Sequence, residues 1–322
     1  MAESLSLPLI DLSSSDRIST ATCIRQACMD YGFFYLINHG LDDQLLENVF
    51  DESKKFFSLP LEEKMKLALK GDLGFSPLYA ENLDPSTTRK GDSKESFHIG
   101  RLEDNEGHIN QWPSEDLLPS WRFVMEKYYK QVLSTGKKLS SLIALALNLD
   151  EDFFEKEGGG LNRPLGVLRL LHYPGDMGVS DEIVYGASAH SDYGMITLLA
   201  TDGVPGLQAS NISFGSTLHL VCREKLKQPR IWEDVNHVKG AFIVNLGDMM
   251  ERWSNCLFRS TLHRVMPTGK ERYSIALFLD PNEDYIVECL PSCYSESCPP
   301  RFPPIRSGDY IRDRIAAAYS AS

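Results

Sequence analysis

At 322 residues, 42% hydrophobic and with a formal net charge of −12, the chain can bury a sizeable core and is unsuited to polyanions, so nucleic acid is not an expected partner. Seven cysteines, odd in number and without zinc-finger pairing, together with the lack of an apolar opening segment, predict reduced thiols in the cytoplasm. No run reaches the roughly 18 apolar residues of a membrane helix, so no membrane partner is expected.

Thr20 to Asp30, Asp43 to Phe57 and Leu61 to Leu69 have helical composition, and Pro60 suits the start of the third, where its missing N–H costs little. Ser120 to Leu149 is the longest predicted helix. Its Leu139, Leu142, Ile143, Ala146 and Leu147 recur at steps of three and four, marking a face packed on something apolar, the outside of a barrel. Gly158-Gly159-Gly160 then breaks the pattern and reads as a linker, since no strand precedes it and no phosphate-loop lysine follows. Beyond it strand-like runs alternate with short turns: Leu165 to Tyr173, Ala187 to Leu199, Gly206 to Ala209, Ala241 to Leu246, Thr261 to Met266, Tyr273 to Leu279 and Tyr285 to Glu288, before a final helix over Asp309 to Tyr319. Many short strands without crossover helices predict a mainly β fold with flanking helices, an antiparallel double-stranded β-helix or jelly roll. The prior of roughly 150 residues per domain would give two domains. Decorated barrels exceed it, so a helical N-terminal region (1–160) and a jelly-roll core (161–322) are expected to form one unit.

One His-x-Asp triplet, His190-Ser191-Asp192, is followed later by His263 and by Arg272-Tyr273-Ser274. Two imidazoles and one carboxylate on one face of a metal leave positions open, which suits non-haem Fe(II) and dioxygen. Gly186 to Leu199 has strand composition, so residues two apart, His190 and Asp192, should aim together. The same period points Arg272 and Ser274 at one place, and the turn signal Pro267-Thr268-Gly269-Lys270 brings His263 back towards them. 2-Oxoglutarate chelates iron through its keto and adjacent carboxylate oxygens. Its distal carboxylate needs a cation and a hydroxyl, which Arg272 and Ser274 supply, and a guanidinium fork serves better than a lysine.

Other candidates have plainer readings. His39 packs or caps in the N-terminal part, His219 falls in a segment that looks inserted and His237 in a polar turn, both read as solvated surface, and alternation makes His172 structural. Cys289, Cys293 and Cys298 lie among Pro and Ser with no histidine nearby, which favours a loop over a soft-metal site.

With these residues in view, the chain resembles the plant-type Fe(II)/2-oxoglutarate-dependent dioxygenases, including isopenicillin N synthase-like and hyoscyamine 6-hydroxylase-like proteins, over almost its whole length. Leu7 to Leu12, Tyr31 to Gly40 (YGFFYLINHG), Phe57 to Lys66, Asn245 to Asp248, Ser254-Asn255, Ser260 to Val265 (STLHRV) and Arg272-x-Ser274 carry the likeness. It implies His190, Asp192 and His263 as iron ligands, with Arg272, Ser274 and Tyr173 holding 2-oxoglutarate. It also implies O2 as co-substrate and ascorbate as a supporting reductant. The expected activity is oxidation of a C–H bond of a small molecule of specialised metabolism by a monomeric enzyme, with release of succinate and CO2. An iron oxidase that uses no 2-oxoglutarate and a non-catalytic binding protein are the alternatives. Phe75, Tyr79, Phe97, His98 and Phe278 are expected around the substrate. Two positions depart from the family pattern: Leu171 stands for its Asn, and Cys256 for its Gly. Ala209 to Cys222 looks inserted, either a surface loop specific to this protein or a splice variant.

Overall fold

In the computed structural model, which describes residues 6–86, 90–102, 109–156, 159–175, 184–211 and 231–320, the chain opens with β1 (Leu9–Asp11), α1 (Arg17–Asp30) and β2 (Phe33–Ile37). Asp16 caps α1 by accepting from Ser19 N. Gly32 makes the sharp exit into β2: its φ is +67°, and an added Cβ would lie 2.4 Å from the Arg259 carbonyl oxygen. Next come α2 (Asp43–Phe57), α3 (Leu61–Met65), β3 (Gly74–Ser76), β4 (Glu95–Ile99) and α4 (Trp121–Ala146). In α2, Asp42 caps the start and Lys54 and Lys55 occupy the last turn, both favourable to the helix dipole.

Strands dominate the rest: β5 (Leu165–Tyr173), β6 (Ala187–His190), β7 (Ile196–Thr201), β8 (Leu207–Asn211), β9 (Ile231–Asp234) and β10 (Phe242–Leu246). After the short α5 (Asp248–Trp253) follow β11 (His263–Val265), β12 (Arg272–Asp280), β13 (Ile286–Val287), β14 (Ile305–Arg306) and the closing α6 (Ser307–Ser320). An eight-stranded sheet runs β1-β2-β10-β7-β12-β5-β4-β3, and a four-stranded sheet runs β6-β11-β8-β9. Between the two sheets lies one apolar layer, with Leu171, Tyr173 and Ala276 from the large sheet and Ala187, Leu207 and Val265 from the small one. Helices cover the other face of the large sheet. There the face of α4 foreseen from its spacing, Leu139, Leu142, Ile143 and Ala146, is fully buried. Gly136 permits the close approach, since a Cβ would meet Leu279 Cδ2 at 2.9 Å. Two face-to-face sheets with helices outside are the jelly-roll architecture read from the strand pattern. Among the described residues no helix is long and apolar enough to cross a membrane.

Four local expectations change. The run Ala187 to Leu199 is two strands in different sheets, with residues 191–195 forming the crossing, so Asp192 lies beyond the end of β6. The helix expected over Leu61 to Leu69 stops at Met65, because the backbone turns to pair: Leu69 N donates to Phe75 O and Phe75 N to Leu67 O. The N-terminal region, expected to be helical, also supplies β1 to β4 to the large sheet. Of the segment read as an insertion, Ala209 to Asn211 belong to β8, with Ala209 buried opposite His263; residues 212–222 lie outside the described set.

Candidate metal and cosubstrate site

His190 and His263 face each other directly as a register pair of the antiparallel β6 and β11, their ring centroids 4.3 Å apart. Each ring is fixed from behind. His190 Nδ1 bonds the Ser188 carbonyl at 2.7 Å and His263 Nδ1 the Thr261 carbonyl at 3.1 Å. A carbonyl only accepts, so each Nδ1 carries a proton and each Nε2 is the ring nitrogen turned towards the shared site. Burial, with His263 adding to it, pushes the His190 pKa down to about 4, so this ring is neutral near pH 7.

Asp192 completes the set from the crossing between sheets. Its Oδ1 lies 3.8 Å from His190 Nε2 and 3.6 Å from His263 Nε2, and one ligand atom from each of the three residues lies within 4.8 Å of the others. Its Oδ2 accepts from Thr197 Oγ1 at 2.5 Å and Asn245 Nδ2 at 2.6 Å. Thr197 and Asn245 are themselves a register pair of β7 and β10. Burial alone would raise the Asp192 pKa; the two histidines and these two donors outweigh it and hold the carboxylate ionised. Two imidazoles and an oriented carboxylate, each with its outer atom tied, fit a divalent first-row metal such as Fe(II).

Arg272 and Ser274 stand on the same face of β12, opposite Tyr173 and Leu171 of β5. The Arg272 guanidinium is buried, donates through Nε to the Val204 carbonyl and through Nη1 to Ser274 Oγ, both at 3.2 Å, and lies 4.9 Å from the Tyr173 ring centre. It also borders a small cavity of about 210 Å³ with Leu207 and Ile243. Leu171 brings no polar atom to this face. His172, on the other face, bonds Glu95 and Glu271 at 2.8 Å each and stacks on Tyr273, the structural role read from alternation. His39 likewise packs on Phe242 and accepts from Leu41 N.

A larger cavity, about 710 Å³, opens beside His190 and Asp192. Leu73, Leu83, Val167, Phe278, Ile311 and Ile315 give it apolar walls, the last two from α6. Of the five residues expected around a substrate, Phe278 and His98 line it. Phe75 and Phe97 do not: both are fully buried on the helix side of the large sheet against Phe56, with Phe97 also meeting Trp121 edge-on. Tyr79 stacks under Lys90 Nζ at 4.1 Å, away from the lining. Burial drives the His98 pKa down to about 3, so it presents a neutral ring. Residues that sequence reasoning passed over include Thr197 and Asn245 behind Asp192, Arg169, Glu81 and Asp280 in the cavity wall, and the α6 face. Asn245 stood in a quoted family-like run but had no assigned task, and an interior arginine within the apolar Leu165 to Tyr173 was a signal available in β5.

Residues 7–115 match the family described as non-haem dioxygenase in morphine synthesis N-terminal, and residues 164–281 match the 2OG-Fe(II) oxygenase superfamily. The chain is 44% identical to kihadalactone A synthase LFS of Citrus sinensis, covering 96% of this chain and 91% of that protein. It is 41% identical to azadirone synthase LFS of Melia azedarach, covering 96% and 92%. Its structure is similar to that of a full-length Neurospora crassa protein solved in complex with alpha-KG, with a TM-score of 0.81, 31% identity and coverage of 98% and 97%.

Proposed function

The chain belongs to the 2OG-Fe(II) oxygenase superfamily, and from that premise we propose the roles of its site residues and the kind of molecule it oxidises. It is an iron- and 2-oxoglutarate-dependent oxygenase of small molecules, with O2 as co-substrate. His190, Asp192 and His263 would hold Fe(II), and Arg272 and Ser274 would take the distal carboxylate of 2-oxoglutarate beside Tyr173. When bound, the ferrous ion supplies the dioxygen chemistry that side chains lack, consuming 2-oxoglutarate to succinate and CO2.

The protein's own groups position and enclose. Ser188 and Thr261 carbonyls keep both imidazoles in the tautomer that leaves Nε2 free, while Thr197 and Asn245 turn Asp192 Oδ1 towards them. The guanidinium fork fixes one end of the cosubstrate, and the apolar cavity walls exclude water from the other side. A volume near 710 Å³ with mainly aliphatic walls suits a bulky, largely apolar substrate. The relatives named as synthases of kihadalactone A and azadirone support a plant specialised metabolite. The two matched regions act as one unit, a reading supported by the sheet that draws strands from both. Free thiols at Cys23, Cys28, Cys289, Cys293 and Cys298 support the cytoplasm as compartment. A monomer is expected, and light scattering checks it.

The observation that carries this assignment is the convergence of the three donor atoms, with His190 and Asp192 lining the large cavity. Its test is metal analysis of purified His190→Ala, Asp192→Ala and His263→Ala proteins, with succinate read across a panel of bulky metabolites. Each variant should fold and lose both metal and succinate formation. An Asp192→Ala protein with full metal content and turnover overturns the ligand assignment, and oxidised product without succinate identifies an oxidase that turns Arg272 to its own substrate.

A further inference from the structure

Behind His190 runs a chain of four charges, three of them buried and the fourth, Arg169, partly buried at 13% exposure, that the proposed roles leave unexplained. Lys94 Nζ lies 2.6 Å from Asp92 Oδ2 and 2.8 Å from Glu81 Oε2, and Glu81 accepts from Arg169 Nη2 at 2.7 Å and Nη1 at 3.2 Å. The side chains of Asp92, Lys94 and Glu81 are 0, 3 and 8% exposed. Arg169 and Glu81 reach the wall of the large cavity. Such ion pairs lose most of their attraction to desolvation, so burial of Asp92, Lys94 and Glu81 is poorly explained by stability alone.

The far end of the chain meets the metal centre. Asp92 Oδ1 accepts from Ser188 N at 2.9 Å and from Ser188 Oγ at 2.6 Å, and the Ser188 carbonyl is the acceptor for His190 Nδ1. The strand carrying His190 needs this support. β6 is the edge strand of the small sheet, four residues long, with an irregular register to β11 between His263 and Val265. Its outer edge would leave main-chain groups unpaired. Residues 92 and 93 take them up: Asp92 accepts the Ser188 N–H, while Ser93 N and Oγ donate to the Tyr185 carbonyl at 2.8 and 3.0 Å.

We propose that Asp92 is a positioning residue of the metal centre: it clamps the edge strand at Ser188, so that the Ser188 carbonyl sets the orientation of the His190 imidazole. Lys94, Glu81 and Arg169 anchor Asp92 from the cavity side. The inference rests on the reading of His190 as a metal ligand.

The test uses the full-length, metal-free protein titrated anaerobically with Co(II), reading both affinity and the visible ligand-field absorption. Outer partners of metal-binding histidines contribute about 10- to 100-fold in affinity. Asp92→Ala should therefore weaken Co(II) binding about tenfold and alter the absorption of the complex. Asp92→Asn, which keeps an acceptor oxygen opposite Ser188, should restore most of both. An Asp92→Ala protein with wild-type affinity and absorption overturns the proposal even if its melting temperature falls, and so does an Asp92→Asn protein no better than Asp92→Ala. If Asp92→Ala does not fold, Ser188→Ala decides. It removes one of the two hydrogen bonds and should weaken binding several-fold, and unchanged binding and absorption overturn the proposal. Wild-type protein that takes up no Co(II), or a His190→Ala protein that binds it normally, instead refutes the ligand assignment.

Discussion

Replacing Arg272 by lysine isolates what the guanidinium contributes beyond its charge. In the structure Nε and one Nη1 hydrogen are committed to Val204 O and Ser274 Oγ, and the Tyr173 ring supports the plane from 4.9 Å. Three of the five N–H donors stay available, enough for a two-bond fork to a carboxylate. Lysine keeps the charge but loses the fork, the Val204 anchor and the planar stack. Loss of one hydrogen bond to a charged group costs about 1.5 to 3 kcal/mol. At about 1.4 kcal/mol per factor of ten, 2-oxoglutarate affinity should fall on the order of 10- to 150-fold. Ser274→Ala, which keeps the guanidinium, should fall towards the lower end. Anaerobic equilibrium titration of the metal-loaded protein with 2-oxoglutarate measures this, with succinate formation against 2-oxoglutarate concentration as a second readout. Wild-type affinity in Arg272→Lys would refute the reasoning and place the clamp elsewhere.

Three further outcomes follow from buried groups. Asp280 is buried in the cavity wall with Oδ1 accepting from Met195 N at 3.0 Å, and burial raises its pKa from 3.8 to about 7. Between those values the unfolded chain gives up the proton that the folded chain keeps. Stability therefore falls as pH rises from about 4 to about 7, by about 4 kcal/mol at 1.36 kcal/mol per pH unit. Asp280→Asn should remove that slope in denaturant titrations at pH 4 and 8, and a slope equal to wild type's would assign it to other groups. Phe97→Ala should lose about 3 to 5 kcal/mol of stability in urea, whereas Phe278→Ala should lose less and shift substrate preference; a Phe97→Ala protein as stable as wild type contradicts its core placement. Deleting residues 209–222 removes Ala209, the β8 register partner of His263, so metal retention should be lost, and full metal content in that protein would show that the pairing is dispensable.

Where one periodicity governs a segment, the sequence was enough: Leu165 to Tyr173 is β5 and Asp43 to Phe57 is α2, residue for residue. The crossing at residues 191–195 carries turn formers, Ser191, Asp192 and Gly194, and was read through because the runs on both sides have strand composition, while a change of sheet leaves no mark on alternation. The triplet spacing brought His190 and Asp192 together for a different reason from the one alternation suggested, since Asp192 lies past the strand and is aimed by Thr197 and Asn245. Those two meet across a register pair between distant segments, which no local pattern encodes. Phe75 and Phe97 misled because all of β3 and β4 is buried, so aromatic character could not say which face meets the cavity and which the helices.

His190 and His263 ride on the small sheet, whereas Asp192 is fastened to the large one through Thr197 and Asn245. The donor set is thus a calliper whose jaws belong to separate sheets, and its opening is gauged by whatever fills the layer between them. Leu171, Ala276 and Val265 are such spacers. A bulkier side chain at Ala276 would pry the jaws apart, changing ionic-radius preference and reactivity with all three ligand residues retained.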